Sequence, residues 1–466
     1  MSRSRGSALS ATCGVATSGS TLHRPVERTP VSARSDAKAT RRRRPVARHG
    51  ELRSPNPFMQ MLAVFGVMVA VVAVSGIAVG AFAVWDAARS VSDNSIALEG
   101  DDVGQLPPSI GEIEGGVNML IAGTDSCEGQ DLALFPRCGV DDDGLERNDV
   151  TMLLHISDEP RRVTVVSFPR DMIVPIPSCP DGQGGRHAAM SAQMINSSYG
   201  YGGLPCTVLT VEELTGIDIQ FAASIRWTGV INMSDAIGGV DVCVSQDISD
   251  RHTGLDLTAG THTLVGAEAL QFLRIRHGIG DGSDLARISN QQQFMSSMVR
   301  KLQSDAVLAN PQALFSIATT ALQQVNSQQL QLSESLASPT RMVQIAMAVK
   351  DVPFSDINFL QYPTTYASDG LRVLPNTTSA DVLFQALAEN RAIQLTGDAS
   401  QGYGVEVIGE AEQPAAPAPG ESAAPEGETP DPNATQAPET PTEYVELPSD
   451  ISGSSAAQVT CTVAEQ

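Results

Sequence analysis

Two aspartates and five arginines in the central part of the chain have the types and spacing to do chemistry. Asp125 closes a Gly123-Thr124-Asp125 turn after one apolar run, and Asp149 closes Arg147-Asn148-Asp149 ahead of a second. Carboxylates at adjacent strand ends can share one hard cation such as Mg²⁺, or Mn²⁺ in its place, because such an ion needs few protein oxygens and takes phosphate oxygens beside them. A third apolar run enters Ser167-Phe168-Pro169-Arg170-Asp171. Further on, Arg274-Ile275-Arg276-His277 reads as an extended segment, whose period of two sets both guanidinium groups on one side. Asp284, Arg287 and Gln291 fall at i, i+3 and i+7 and share a helix face. Arginine forks match phosphate oxygens two at a time, so Arg147, Arg170, Arg274, Arg276 and Arg287 point to a polyanion such as a pyrophosphate. The competing reading pairs the same arginines with acids on a solvated surface, and spacing alone leaves both open. Ser167 has no histidine beside it to activate it as a nucleophile, and His155 and His277 read as structural.

These residues need a frame. Val117 to Ile121, Val150 to Ile156, Val163 to Phe168 and Val240 to Val244 are short β-branched runs bounded by Gly, Asp or Pro, as buried strands are. Thr207 to Leu214, Gly266 to Leu273, Asp284 to Leu302, Pro311 to Val325 and Thr340 to Val349 have helical composition, with Ser283 as an N-cap. Interleaved strands and helices predict an α/β class, a sheet covered by helices on both faces. Phe221, Ile225, Phe272, Phe294 and Met298 read as core.

The formal charge of −23 over 466 residues argues against nucleic acid as a partner, since phosphates must be met by excess Lys and Arg. That average hides two regions. Before Phe58 there are 12 Lys and Arg against three acids, net +9, and the remainder carries −32. Phe58 to Trp85 is an uncharged apolar run of 28 residues. As a helix it is roughly 42 Å long, enough for a hydrocarbon core of about 30 Å. Residues 58–85 are therefore expected to span a membrane; the run is too long for a signal peptide, although Ala81-Phe82-Ala83 offers a cleavage motif. The basic residues 1–57, with Arg41 to Arg44, would stay in the cytoplasm and the rest lie outside.

Residues 86–115 then read as an extracellular stalk, 116–391 as the folded domain, 392–450 as a disordered tail, and 451–466 as a short segment carrying Cys461. Pro414 to Pro448 holds nine prolines and seven acids, too few apolar groups to fold. Six external cysteines suit disulfides in an oxidising compartment. They allow 15 pairings; closeness along the chain favours Cys127 with Cys138 and Cys179 with Cys206, leaving Cys243 for Cys461. The Cys127 to Cys138 insertion, followed by Asp141-Asp142-Asp143, can form a pinned lip over the site.

Taken in order, Asn118 to Asp125, Arg147-x-Asp149, Ser167-x-Pro-Arg-Asp171, Ile195-Asn196 with Tyr199 and Gly202-Gly203, Gly238 to Val242, Arg274-x-Arg-His277 and Asp284-x-x-Arg287-x-x-x-Gln291 resemble the LytR-CpsA-Psr family of membrane-anchored envelope enzymes. The resemblance is densest over 116–305. It implies an α/β/α sandwich around a mixed sheet, and a phosphotransferase that moves a glycopolymer from a polyprenyl-pyrophosphate donor to peptidoglycan, releasing polyprenyl phosphate. By matching position, Asp125 and Asp149 resemble the magnesium ligands. Arg147, Arg170, Arg274, Arg276, Arg287 and Gln291 resemble pyrophosphate contacts, with Arg147, Arg170 and Arg276 nearest the reaction. Asp171, Asn196 and Asp284 resemble supporting residues, Asp171 as the group that orients Arg170. Cys127, Val150 and Met194 depart from the family pattern, which bears on the rim more than on the centre. The alternatives are a polyprenyl-pyrophosphate hydrolase and a non-catalytic lipid- or wall-binding anchor protein.

Overall fold

The computed structural model describes residues 58–71, 74–75, 95–99, 113–139, 144–304, 307–308, 310–400, 402–413 and 444–465. Contacts divide the chain into two units, Met1–Val71 and Val72–Gln466. Of the expected span 58–85, residues 58–71 and 74–75 are helical, and the remainder, like residues 1–57, lies outside the described residues. Among the described residues no helix is long and apolar enough to cross a membrane.

The second unit begins with strands β1 (Val117–Thr124), β2 (Asn148–Ile156) and β3 (Val163–Phe168). Helix α1 (Ser197–Thr215), β4 (Phe221–Ile225), α2 (Trp227–Ala236), β5 (Val240–Val244) and β6 (Gly260–Leu264) follow. Next come α3 (Gly266–Arg274), α4 (Asp284–Ser304), α5 (Pro311–Asn326), β7 (Leu330–Leu332), α6 (Pro339–Met347), β8 (Ile357–Gln361) and α7 (Thr377–Ala388). The chain ends with β9 (Val405–Glu410), β10 (Gly453–Ser455) and β11 (Gln458–Thr462).

Seven strands form a central mixed sheet in the order β7-β4-β1-β2-β3-β8-β10. The β1/β4 and β3/β8 pairs are parallel and the other pairs antiparallel. Because side chains alternate along a strand, each face is a separate apolar surface. Leu120, Ala122, Leu153 and Val166 meet Leu204 and Val208 of α1 and Leu383 of α7 on one face. Val117, Met152, Ile156 and Val165 meet Leu322 of α5, Ile345 of α6 and Met295 of α4 on the other. Helices therefore cover both faces, as the alternation of elements predicts. All six residues of β3 are buried, Thr164 and Ser167 with the four apolar ones, as in a strand covered on both faces. Truncating a fully buried core residue such as Leu153 to Ala would cost about 2–5 kcal/mol.

A second sheet, β6-β5-β11-β9, packs through Val240 and Val242 on Phe272 of α3 and Phe294 of α4. It corrects the boundary expected at 391. β9 pairs with β11, Ala392–Gln394 pairs with Tyr444–Glu446, and β10 joins the central sheet beside β8. The biased composition that marks a tail is confined to 414–443, which lies outside the described residues, whereas its flanks keep alternating apolar residues such as Val405 and Val407. Of the expected stalk 86–115, residues 95–99 and 113–115 belong to the folded domain, and 86–94 and 100–112 lie outside the described residues. Leu98 and Ile113 are buried against opposite faces of the domain, and Ile96 bridges Ser333, because these apolar residues have core to cover.

The three disulfides are Cys127–Cys138, Cys179–Cys206 and Cys243–Cys461, with Cα separations of 5.2, 5.1 and 4.5 Å. Nearness in sequence selected the same pairs. Gly202 explains one local break. A Cβ there would lie 2.9 Å from Cys206 Cβ and 3.0 Å from Cys179 Cβ, and Gly202 and Gly203 leave helical geometry inside α1 to let the disulfide close.

Candidate functional site

The site lies where β1 ends and β2 begins and the loops after β3 and α3 converge on the start of α4. Gly123 pairs with Val150 and Thr124 with Asn148, so Asp149 is the extra residue of a β-bulge. A bulge re-aims one side chain out of the ladder, and here it turns Asp149 toward Arg170. Arg170 Nη1 donates to Asp149 Oδ1 at 2.7 Å, while Arg170 Nε lies 3.7 Å from Asp171 and 3.6 Å from Asp284. Arg287 Nη2 lies 2.6 Å from Asp284 Oδ1 and donates to the Asp149 carbonyl at 2.8 Å. Ser283 caps α4, its Oγ accepting from Ala286 N at 3.2 Å, which starts the helix where Asp284 and Arg287 reach the cluster.

Electrostatics follow from this crowding. Burial would push the Asp149 carboxyl up, but Arg287 and Arg170 outweigh it and hold it below its ordinary value. Burial raises Asp125; the Arg147 N–H, donating to Asp125 Oδ1 at 2.7 Å, opposes this, and the Asp149 charge adds to the rise. Asp171 is raised by burial and by Asp284. Arg276 is lowered by burial against the pull of Asp284, with Arg170 and Arg287 adding like-charge repulsion. Asn196 supports the cluster through its backbone, its N–H donating to the Arg170 carbonyl at 3.3 Å and its carbonyl accepting from Asn148 N at 3.4 Å.

Asp125 and Asp149 are the candidate metal pair. They form a hard oxygen donor set, and the carboxyl of Asp125 is raised in part by Asp149, a cost that a divalent cation beside them would relieve. No group of three or more His, Cys, Asp and Glu that could hold a metal occurs among the described residues. Two carboxylates match an ion that keeps ligands for phosphate and water.

Beside the cluster opens an apolar cavity of about 260 Å³ between the α5 face of the central sheet and helices α2, α3 and α4. Met152, Ile225, Val230, Met233, Phe294 and Met298 line it, and Asp149, Arg274, Arg287 and Gln291 also border it. Of the residues expected in the core, Phe221, Phe272 and Phe294 are buried there, and Phe294 with the partly buried Ile225 and Met298 also lines this cavity. Burial propensity does not distinguish an apolar wall from an apolar interior.

Arg274 and Arg276 depart from the expected common side. Arg274 ends α3 instead of lying in an extended segment, and it stacks on Trp227 with its guanidinium carbon 4.2 Å from the ring centroid. It borders the apolar cavity, whereas Arg276 borders a second, polar one. Gln291 Nε2 donates to the Leu273 carbonyl at 2.9 Å and fixes that helix end. Phe135 of the Cys127–Cys138 loop packs on Trp227 at 4.8 Å between centroids, so the loop backs a residue that lines the cavity, while Asp141 to Asp143 of the expected lip lie outside the described residues.

Sequence reasoning missed Trp227 and the Arg226–Glu146 pair. Buried Arg226 meets Glu146 through Nε at 3.1 Å and Nη2 at 2.9 Å, and Thr124 Oγ1 donates to Glu146 at 2.6 Å. This ties the loop carrying Asp125 to the end of β4. The signal was an arginine directly after a strand, hidden because β4 itself was not expected. Ser167 is buried with no base beside it, and His277 stacks on His252, in keeping with structural parts.

The fold and site define an α/β protein with a cationic, carboxylate-bearing cluster beside an apolar cavity. The LytR_cpsA_psr family matches residues 86–392, and the chain belongs to that family. It is 33% identical over 211 residues to the probable cell wall biosynthesis protein LcpB of Corynebacterium glutamicum, covering 44% of this chain and 47% of that one. It is 29% identical over 168 residues to the polyisoprenyl-teichoic acid–peptidoglycan teichoic acid transferase TagU of Enterococcus faecalis, covering 36% and 51%. The crystal structure of TagV from B. subtilis aligns with 59% of this chain and 97% of its own at 20% identity and a TM-score of 0.45. The chain spans about half the length of the curated relatives it matches.

Proposed function

We propose that this protein transfers a glycopolymer from a polyprenyl-pyrophosphate donor to a peptidoglycan hydroxyl. The observation that carries this reading is one apolar cavity bordered by Arg274, Arg287 and Gln291. That is the shape of a ligand with a hydrocarbon chain and an anionic head. The chain enters the cavity between α2, α3 and α4, and the head rests on the arginines. The acceptor oxygen bonds to the phosphorus that carries the glycan, the bond from that phosphorus to the bridging oxygen breaks, polyprenyl phosphate leaves, and the hydroxyl proton passes to solvent. Little covalent chemistry is asked of the protein; positioning and charge neutralisation supply most of the acceleration. Arg170 and Arg287 are pre-aligned by Asp149 and Asp284, Arg276 borders the second cavity, and Arg147 holds Asp125 through its backbone N–H. Asp125 and Asp149 would hold Mg²⁺, which neutralises phosphate charge when bound. Residues 58–85 would anchor the chain in the membrane, with 1–57 cytoplasmic and the site outside.

The test incubates the full chain in detergent with Mg²⁺, a polyprenyl-pyrophosphate glycan and peptidoglycan, and measures polymer joined through phosphodiester. The wild type attaches polymer, and an Arg170→Ala, Arg276→Ala double variant does not. Equal yields would sink the assignment, and release of glycan phosphate without attachment would favour a hydrolase.

A further inference from the structure

A second cavity, of about 570 Å³, opens on the other side of the cluster and is more polar, with carboxylates and an arginine among apolar residues. Its walls include Asp171, Arg276, Asp281 and Asp284 on one side and Tyr366 and Leu371 on the other. Tyr366 and Leu371 belong to the hairpin formed by Thr364–Tyr366 and Val373–Pro375. This hairpin is fastened to the site itself, since Val373 N donates to the Asp171 carbonyl at 3.5 Å and Met172 bridges Val373. Tyr366 is 57% exposed and Leu371 81%, so the hairpin presents an uncovered apolar and aromatic lip above a floor of carboxylates.

The two cavities share one wall. Arg287 borders the apolar cavity and pairs at 2.6 Å with Asp284, which borders the polar one; Arg170 pairs with Asp149 on the first side and Asp171 on the second. A phosphorus atom resting on these arginines would be approachable from both sides. Displacement at phosphorus places the entering and departing oxygens roughly in line, so a donor lying in one cavity leaves the other for the entering group. Three carboxylates against one arginine repel a second polyanion and accept hydrogen bonds from hydroxyl and amide donors. An exposed aromatic beside carboxylates suits a ligand with a C–H face and a polar edge.

We propose that the cavity between the 364–375 hairpin and the start of α4 binds the carbohydrate acceptor, with Tyr366 and Leu371 meeting a sugar face and Asp281 and Asp171 accepting from its hydroxyl or amide groups. This rests on the transferase reading and adds to it the place where the acceptor docks.

Two measurements on the full chain separate the two ideas. One follows binding of a soluble peptidoglycan glycan oligomer in the absence of donor, and the other follows binding of the polyprenyl-pyrophosphate donor alone. Tyr366→Ala and Asp281→Asn each weaken oligomer binding, roughly tenfold for the loss of an aromatic contact, and leave donor affinity unchanged. Tyr366→Phe keeps the ring and restores most of the affinity. If oligomer affinity is the same in wild type and both variants, or if donor affinity falls in parallel with it, the cavity is not the acceptor site. If the oligomer shows the variant-sensitive binding and no polymer is ever attached, the carbohydrate site stands and the transferase reading fails.

Discussion

Arg170 Nη1 lies 2.7 Å from Asp149 Oδ1, and this pair joins the bulged end of β2 to the loop after β3. The same arginine faces Asp171 and Asp284, so one guanidinium sits among three carboxylates, and burial is outweighed by them in raising its affinity for its proton. Such an arginine is held in place before any ligand arrives.

Replacing Arg170 with Ala is expected to lower the transfer rate by about 10²–10³-fold, the usual loss when one preorganised charge-stabilising donor is removed. Arg170→Lys should recover little of this, because an ammonium cannot reproduce the planar fork. Steady-state rates with donor saturating check both; activity within a few fold of wild type in Arg170→Ala would remove this residue from the reaction. The variant also frees Asp149 to rise toward its ordinary value. The stabilisation carried by Asp149 is fully present above the unfolded carboxyl value of 3.8 and fades as pH falls through its lower folded value.

Asp125→Asn is expected to raise the Mg²⁺ concentration needed for half-maximal activity while leaving the fold intact, since the Asn oxygen still accepts from Arg147 N. A readout without turnover is thermal stability against Mg²⁺, which rises with ligand binding. Wild type should gain melting temperature as Mg²⁺ is added and lose the gain with a chelator. A flat response in wild type, or the same response in Asp125→Asn, would exclude a cation at this pair.

How much of this was legible in the sequence depended on how each element makes its contacts. Strands β1, β2, β3 and β5 are buried β-branched runs, and α3 to α6 carry helical composition over enough length, so all were visible. β4 reads Phe-Ala-Ala-Ser-Ile and β7 has three residues; neither has a local pattern, and β4 forms because β1 offers an edge to pair with, β7 because β4 then offers the next. Trp227, Arg226 and the separate cavities of Arg274 and Arg276 became visible only with β4 and the end of α3 in place. The motif residues themselves were legible because acids and arginines at strand ends stand out from apolar runs. Which arginine faces which cavity is a property of the packed helices.

His155 gives the protein an acid-sensitive point away from the site. Its Nδ1 lies 2.7 Å from Asn118 Oδ1, while Asn118 Nδ2 donates to the Asp218 carbonyl at 2.8 Å, so Oδ1 is the acceptor and the imidazole carries its proton on Nδ1. Nε2 is buried without a partner, and burial pushes the ring from 6.5 down to about 4. The unfolded chain protonates first, so stability is intact above 6.5, falls as pH drops toward 4 and then levels. The loss is on the order of 3 kcal/mol at most. Urea unfolding from pH 7.5 to 4 should show a decline that His155→Gln flattens; an equal decline in the variant would assign the acid sensitivity elsewhere.

The Cys243–Cys461 disulfide should matter to the site as well as to stability. It closes a loop with a sequence separation of 218 and seats the last strand, β11, beside β5. From that strand the chain runs along the loop between Arg276 and Asp284. Gly280 N donates to the Val463 carbonyl at 3.0 Å and Gly278 N to Glu465 Oε2 at 2.9 Å, while Thr462 Oγ1 lies 2.6 Å from Asn290 Oδ1 on α4. A double Cys243→Ser, Cys461→Ser variant is expected to lose about 2–5 kcal/mol, within the range for removing a native disulfide. It should also lose activity beyond its unfolded fraction, because the loop that presents Arg276 loses its brace. Glu465→Gln keeps the disulfide and weakens only the contact to Gly278, so it should lower activity modestly at unchanged denaturation midpoint. Measuring midpoint and rate for both variants separates the two effects. If the double variant loses stability and keeps the full rate per folded molecule, the C-terminal segment serves the fold alone and the positioning of Arg276 comes from α3 and α4.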